Sequence, residues 1–330
     1  MALLDVYDAV FFDLDGTVWE SGRALPNAVQ TIAALTVPAL YVTNNAFRAP
    51  EEVAEMLREI GIDATPDDVL TSAQAAVRMA RETCAPGERV LVLGSDSFRR
   101  LTADAGFEVV ASAADGPRAV LHGHNPATGW AELSEAALAI RAGAEYLASN
   151  LDTTLPTGRG LMVGNGSMVA AVTSATGVVP RAAGKPQPTM FQQAVEITGA
   201  SRALAVGDRL DTDLAGAVAA GVESLHVLTG VSGPLALLNA PKEQRPTFIG
   251  ADLSALLEDP DELAPGPQGG FEAVSDGNEI VLRGGNVGSG VLQALRTACD
   301  VAWSEEIGAG EPVRVRPESD AARRACDEWW

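Results

Sequence analysis

From the N-terminus to about residue 258, short β-branched and aromatic runs alternate with Ala-rich stretches of helical length. That alternation commits a chain to an α/β fold, because a parallel strand covered on both faces by crossover helices is a continuous apolar run. The runs predict strands at 9–12, 39–43, 90–93, 119–122, 203–206 and 224–228. Helices fill the gaps, one at 50–60 with Glu51 and Glu52 in its first turn and Gly61 closing it, another at 134–142 closed by Gly143. The expected architecture is a doubly wound, Rossmann-like parallel-sheet core.

Chemistry collects where the predicted strands end. The first run leads into Phe12-Asp13-Leu14-Asp15-Gly16-Thr17. Strand periodicity turns Asp13 and Asp15 to one side, at the carboxyl edge where parallel sheets bind ligands. A bare DxD is as readily an acidic turn, but DxDGT behind four apolar residues is more specific. Carboxylates held this close repel one another and need a proton, a cation or a lysine between them.

Three further segments fit. Leu40-Tyr41-Val42-Thr43-Asn44-Asn45 ends a strand in a hydroxyl and two amides, neutral donors suited to phosphoryl oxygens, although a TNN by itself also makes an Asx turn. Gly184-Lys185-Pro186 holds a lysine in a stiff setting, which alone would read as a surface loop. Ala205-Val206-Gly207-Asp208 runs on to Asp211 and Asp213, a carboxylate cluster that suits a hard cation such as Mg²⁺ but is also common at helix N-termini.

In residue type and order, these four segments resemble the motifs of the haloacid dehalogenase-like phosphohydrolase superfamily, over about residues 7 to 230. The resemblance implies a Mg²⁺-dependent phosphatase. Asp13 would be the nucleophile that forms an aspartyl-phosphate, Asp15 the acid and then base, and Lys185 the neutralising cation. Thr43, Asn44 and Asn45 would bind phosphate. Asp13, the Asp15 main-chain carbonyl and Asp208 would bind Mg²⁺, with Asp213 orienting the metal's ligands through water.

The stretch between Thr43 and Lys185 is far longer than neighbouring sheet strands require, and it carries its own strand-like runs at 90–94, 119–122 and 146–148. It is expected to be an inserted α/β cap at 77–178, leaving a core of 1–76 and 179–258. A cap of this size resembles the branch that holds 4-nitrophenylphosphatase-like, phosphoglycolate, glycerol-3-phosphate and pyridoxal phosphatases. Ala148-Ser149-Asn150-Leu151-Asp152 and Gly164-Asn165-Gly166-Ser167-Met168 look like cap segments of that branch. Asn150, Asp152, His122 and His124 are candidates to read the leaving group. A broad cap favours small phosphorylated metabolites, glycerol 3-phosphate or phosphoglycolate first. A nucleotidase or a pyridoxal-phosphate phosphatase is the alternative within the mechanism. A receiver-type phosphoacceptor or a scaffold protein is the alternative outside it.

Three prolines in the run Asp259 to Gly270 predict a linker at 259–270. The extension at 271–330 is expected to hold a strand at 279–283 and a helix at 290–303. The glycine-rich turn Gly284-Gly285-Asn286-Val287-Gly288-Ser289-Gly290 between them is a layout able to hold a pyrophosphate on backbone amides. It resembles the cofactor loop of the acetyltransferase fold, so this piece reads as an incomplete module of that type, a docking or regulatory appendage pinned by Trp329 and Trp330.

With 44 acidic against 23 basic side chains the net charge is −21, which argues against nucleic acid and anionic membrane as partners. An acidic protein that handles an anion needs its positive charge locally, from Mg²⁺ and Lys185. Three scattered cysteines, Cys84, Cys299 and Cys326, suit a reducing compartment, and a cytoplasmic location is expected. Caps of the resembled branch often take part in dimers, so a homodimer is admitted.

Overall fold

The computed structural model describes residues 1–305, 307 and 312–329, so Trp330 lies outside the described residues. The chain forms two units, Met1–Leu40 with Ile60–Ile62 and Val195–Trp330, and Tyr41–Glu59 with Asp63–Ala194.

In the first unit, strands Phe248–Gly250, Glu223–Val227, Ala203–Gly207 and Ala9–Phe12 lie side by side in that order, all parallel. Every residue of Ala9–Phe12 and Ala203–Gly207 is buried, as unbroken apolar runs require. The register sets Phe12 beside Val206 and Gly207 beside His226. Asp13, Asp208 and the loop after Val227 therefore leave the sheet at one carboxyl edge.

The same unit carries the C-terminal extension. Strands Phe271–Asp276, Glu279–Gly284 and Arg314–Pro317 form a mixed sheet, antiparallel then parallel, backed by helices Val291–Ser304 and Asp320–Asp327. Phe271, Ile280, Leu282, Leu295, Ala298 and Trp329 share one hydrophobic core with Leu210, Leu214, Leu237, Leu238 and Ile249. The extension is thus built into the unit's core. The expected linker is not irregular throughout: Asp259 caps a one-turn helix, Pro260–Leu263, by accepting from the Asp261 N–H, and Leu263 is fully buried.

In the second unit, the chain pairs Tyr41 to Thr43 with Val69–Thr71 in parallel. Five more parallel strands form a sheet in the order Arg181–Ala182, Glu145–Ala148, Ala119–His122, Arg89–Leu93, Glu108–Val110. This sheet reaches Ala182, past the 77–178 span expected for it. The helix expected at 134–142 is Trp130–Arg141, and it starts earlier because Glu132 turns back to accept from the Gly129 N–H at 3.0 Å. The doubly wound α/β class holds. Among the described residues, no helix is long and apolar enough to cross a membrane.

Candidate active site

Asp13 follows the buried strand Ala9–Phe12 and is fixed by its own N–H, which donates to Val206 O at 2.9 Å. Its side chain is half-buried, and those of Asp208 and Asp213 are buried; one carboxylate oxygen of each lies within 4.8 Å of the others. Three carboxylate oxygens gathered so closely suit a hard divalent cation, and the residues fit Mg²⁺. Asp211 stands apart, exposed and paired with Arg209 at 2.9 Å.

The backbone keeps this cluster open. A Cβ on Gly16, whose φ is +91°, would stand 2.6 Å from Asp208 Oδ2, and one on Gly230 would stand 2.0 Å from the same atom. The 229–232 loop clasps Asp208: Val231 N–H donates to its Oδ2 at 2.6 Å and Ser232 N–H to its main-chain oxygen at 3.2 Å. Thr17 Oγ1 donates to Asp208 Oδ1 at 3.4 Å, Thr229 Oγ1 to Gly16 O at 2.6 Å, and Leu210 N–H to Ser232 Oγ at 3.1 Å. Asp213 accepts from Arg209 N–H at 3.1 Å.

Asp15 is exposed, and its Oδ1 accepts from the indole Nε1–H of buried Trp19 at 2.9 Å. Sequence reasoning missed Trp19, and no spacing rule marks an indole as a partner. It also missed the 229–232 loop, which the strand-end rule could have found, since it follows Glu223–Val227.

In the second unit, Lys185 is not a surface lysine. It is 2% exposed, and its Nζ donates to Val42 O at 2.9 Å. Asn44 holds the lysine's backbone from both sides, as Oδ1 accepts from Lys185 N–H and Nδ2 donates to Lys185 O, each at 2.9 Å. The same Nδ2 lies 3.1 Å from Asp152 Oδ2. Asn150 Nδ2 donates to Asn44 O at 2.7 Å, and its Oδ1 accepts from Asp152 N–H at 3.2 Å. Thr43, Asn44, Asn150, Asp152 and Lys185 are therefore brought together. The amide side chains expected as phosphate or leaving-group contacts are engaged in holding this assembly. Asn45 makes an Asx turn, its Oδ1 accepting from the N–H of Phe47 at 2.8 Å and of Arg48 at 3.1 Å.

The Gly164–Ser167 segment locks against the loop that carries Asp152, where a Cβ on Gly166 would fall 2.1 Å from Leu151 O. Asn165 Nδ2 donates to Asn150 O at 2.8 Å. His122 does not face a substrate. It is buried, hydrogen-bonded through Nδ1 to Tyr146 OH at 2.9 Å, and burial pushes its pKa down to about 4. His226, in the first unit, is likewise pushed down to about 4 by burial and donates from Nε2 to Ser232 O at 2.8 Å. His124 is half-buried, edge-on to Phe47.

Residues 10–108 match the haloacid dehalogenase-like hydrolase family and residues 182–256 a HAD-hydrolase-like family. Across 98% of this chain and 94% of the relative, the sequence is 43% identical to the D-glycerol 3-phosphate phosphatase of Mycobacterium tuberculosis. The chain belongs to the haloacid dehalogenase-like hydrolases. This haloacid dehalogenase-like hydrolase is also 36% identical to the acid sugar phosphatase of Staphylococcus aureus, over 76% of its own length and 97% of the relative's. Among solved structures it is similar to the glycerol phosphate phosphatase of M. tuberculosis in complex with magnesium, with TM-score 0.94 and 42% identity over 100% of this chain and 98% of that one. It is also similar to the 4-nitrophenylphosphatase of Thermotoga maritima, with TM-score 0.72 and 27% identity over 78% of this chain and 99% of that one. Residues 268–329 match a GCN5-related N-acetyltransferase like domain.

Proposed function

We propose that this chain is a Mg²⁺-dependent phosphatase of small phosphate monoesters, working through an aspartyl-phosphate on Asp13, with glycerol 3-phosphate as its substrate. The observation that carries the reading is the convergence of half-buried Asp13 with buried Asp208 and Asp213 at the carboxyl edge of a parallel sheet. Near full-length similarity to a glycerol phosphate phosphatase supports the choice of substrate.

Asp13 attacks phosphorus with one carboxylate oxygen while the bond to the leaving alkoxide breaks. Asp15, exposed and oriented by Trp19, gives its proton to that alkoxide. It then takes a proton from the water that attacks the phosphorus, and Asp13 is released as a carboxylate. Charge in phosphoryl transfer spreads over the peripheral oxygens, so the remaining task is electrostatic. By resemblance to the family this task falls to Lys185 and the Thr43–Asn44 strand end; Lys185 itself is fixed by its hydrogen bonds to Asn44 and Val42. Bound by Asp13, the Asp15 carbonyl and Asp208, Mg²⁺ supplies positive charge that offsets both the phosphoryl oxygens and the clustered carboxylates. The three cysteines are buried and form no disulfide, which supports a cytoplasmic location.

The test is a panel of glycerol 3-phosphate, phosphoglycolate, sugar phosphates, nucleoside monophosphates and pyridoxal phosphate, read as Mg²⁺-dependent phosphate release. The expected result is the highest kcat/KM for glycerol 3-phosphate. A higher value for another ester would reassign the substrate, and no Mg²⁺-dependent release from any would overturn the phosphatase reading.

A further inference from the structure

The glycine-rich turn of the extension has the layout of an anion cradle, but five of its backbone donors are already used. Gly285 N–H donates to Gly270 O at 2.7 Å, Asn286 N–H to Ser289 Oγ at 2.8 Å, and Gly288 N–H to Asn286 Oδ1 at 2.8 Å. Ser289 N–H donates to Asn286 O at 3.2 Å, and Gly290 N–H to Gln293 Oε1 at 2.9 Å. Ser289 Oγ itself donates to Gly269 O at 2.6 Å. A loop that satisfies most of its amides in this way holds its own shape.

What the extension does engage is the polypeptide behind Asp208. Its long helix Val291–Ser304 packs on the short helix Pro234–Leu238, sharing a core with Leu237 and Leu238. Trp303 Nε1–H donates to Leu237 O at 3.0 Å, and Arg245 clamps Trp303 in return, donating to its carbonyl at 2.9 Å with the guanidinium over the ring. Two turns earlier in the helix, Arg296 is 5% exposed and donates to Ile249 O from Nε at 2.9 Å and from Nη2 at 2.6 Å. Val313 N–H reaches Asn239 Oδ1 at 2.7 Å, just beyond the short helix. The short helix is the direct continuation of the 229–232 loop, whose Val231 and Ser232 hold the Asp208 carboxylate and backbone.

We propose that the C-terminal extension is a fixed buttress for the metal-binding carboxylates, with Trp303 a positioning residue that acts on Asp208 through the Pro234–Leu238 helix and Ser232. This rests on the Mg²⁺ reading of the Asp13, Asp208 and Asp213 cluster. The physical basis is a contiguous run of packed side chains and hydrogen bonds between two sites, in which loosening one end relaxes the other.

The test measures Mg²⁺ affinity of the full-length protein by calorimetry and by the Mg²⁺-induced rise in Tm, without substrate. Trp303→Phe deletes the N–H and keeps an aromatic ring; Leu295→Ala opens a cavity in the core that Leu237 and Leu238 of the short helix share; Ile140→Ala opens a comparable cavity in the second unit's core. The expected result is Mg²⁺ binding weakened about threefold or more in Trp303→Phe and Leu295→Ala. Binding should be unchanged in Ile140→Ala despite its lower Tm. Equal affinity in wild type and the two extension variants, or an equal loss in Ile140→Ala, would overturn the buttress while leaving the metal site standing. A wild type that binds no Mg²⁺, or an Asp208→Asn variant that binds it as well as wild type, would overturn the metal reading and the buttress with it.

Discussion

Trp19 donates its indole Nε1–H to Asp15 Oδ1 at 2.9 Å. The ring is buried and the carboxylate exposed, so a fixed aromatic plane sets the orientation of a group that otherwise projects from a loop. Trp19→Phe keeps most of the buried ring and removes the donor. Steady-state kinetics should show kcat falling roughly 10- to 100-fold with KM little changed, the size expected when a proton-transfer group loses its alignment. An unaltered kcat would mean that Asp15 is aligned by other means.

Asn44 pairs with the backbone of Lys185 as a strand would, one acceptor and one donor at 2.9 Å each. Asn44→Ala leaves the Lys185 N–H and carbonyl without these partners, a cost of about 1–3 kcal/mol. Asn44→Asp should be worse, because it replaces the donor with an acceptor that faces both Lys185 O and the Asp152 carboxylate. Urea melts of the three proteins check the order, and Asn44→Asp matching wild type would refute it.

His122 and His226 are both held neutral by burial, with folded pKa values near 4. An unfolded imidazole takes up its proton near pH 6.5, so the unfolded state binds more protons between about 6.5 and 4. Their contribution to stability is complete above about pH 6.5 and is lost as the pH falls through that window, on the order of 3 kcal/mol for each. Urea midpoints at pH 7 and 4.5, taken without metal, should drop less in His122→Gln than in wild type. An equal drop would contradict the burial argument.

The sequence made the parallel strands and their chemistry legible for one physical reason. A strand covered on both faces announces itself as an unbroken apolar run, and in this fold the reactive side chains stand where such runs stop, as Phe12 to Asp13 and Gly207 to Asp208 do. The extension was harder to read because its elements are half-covered. Phe271–Asp276 alternates buried and open residues directly after the Pro- and Gly-rich run, and Arg314–Pro317 carries an arginine at every second position. The Asp259-Pro260 cap lies in a Pro- and Gly-rich run whose composition predicts irregular chain. The partners of the glycine-rich turn and of His122 were not legible for a shared reason: what occupies their hydrogen bonds, Gln293 and Ser289 in one case and Tyr146 in the other, is fixed by the fold and not by local spacing.

Asp13 is the proposed nucleophile, and replacing its carboxylate by an amide tests this most directly. Mg²⁺-dependent phosphate release from glycerol 3-phosphate should fall by roughly 10⁴-fold or more in Asp13→Asn, the scale at which removal of a covalent nucleophile acts, with Tm and circular dichroism unchanged. Phosphate release that survives the substitution at a rate comparable to wild type would contradict an aspartyl-phosphate on Asp13.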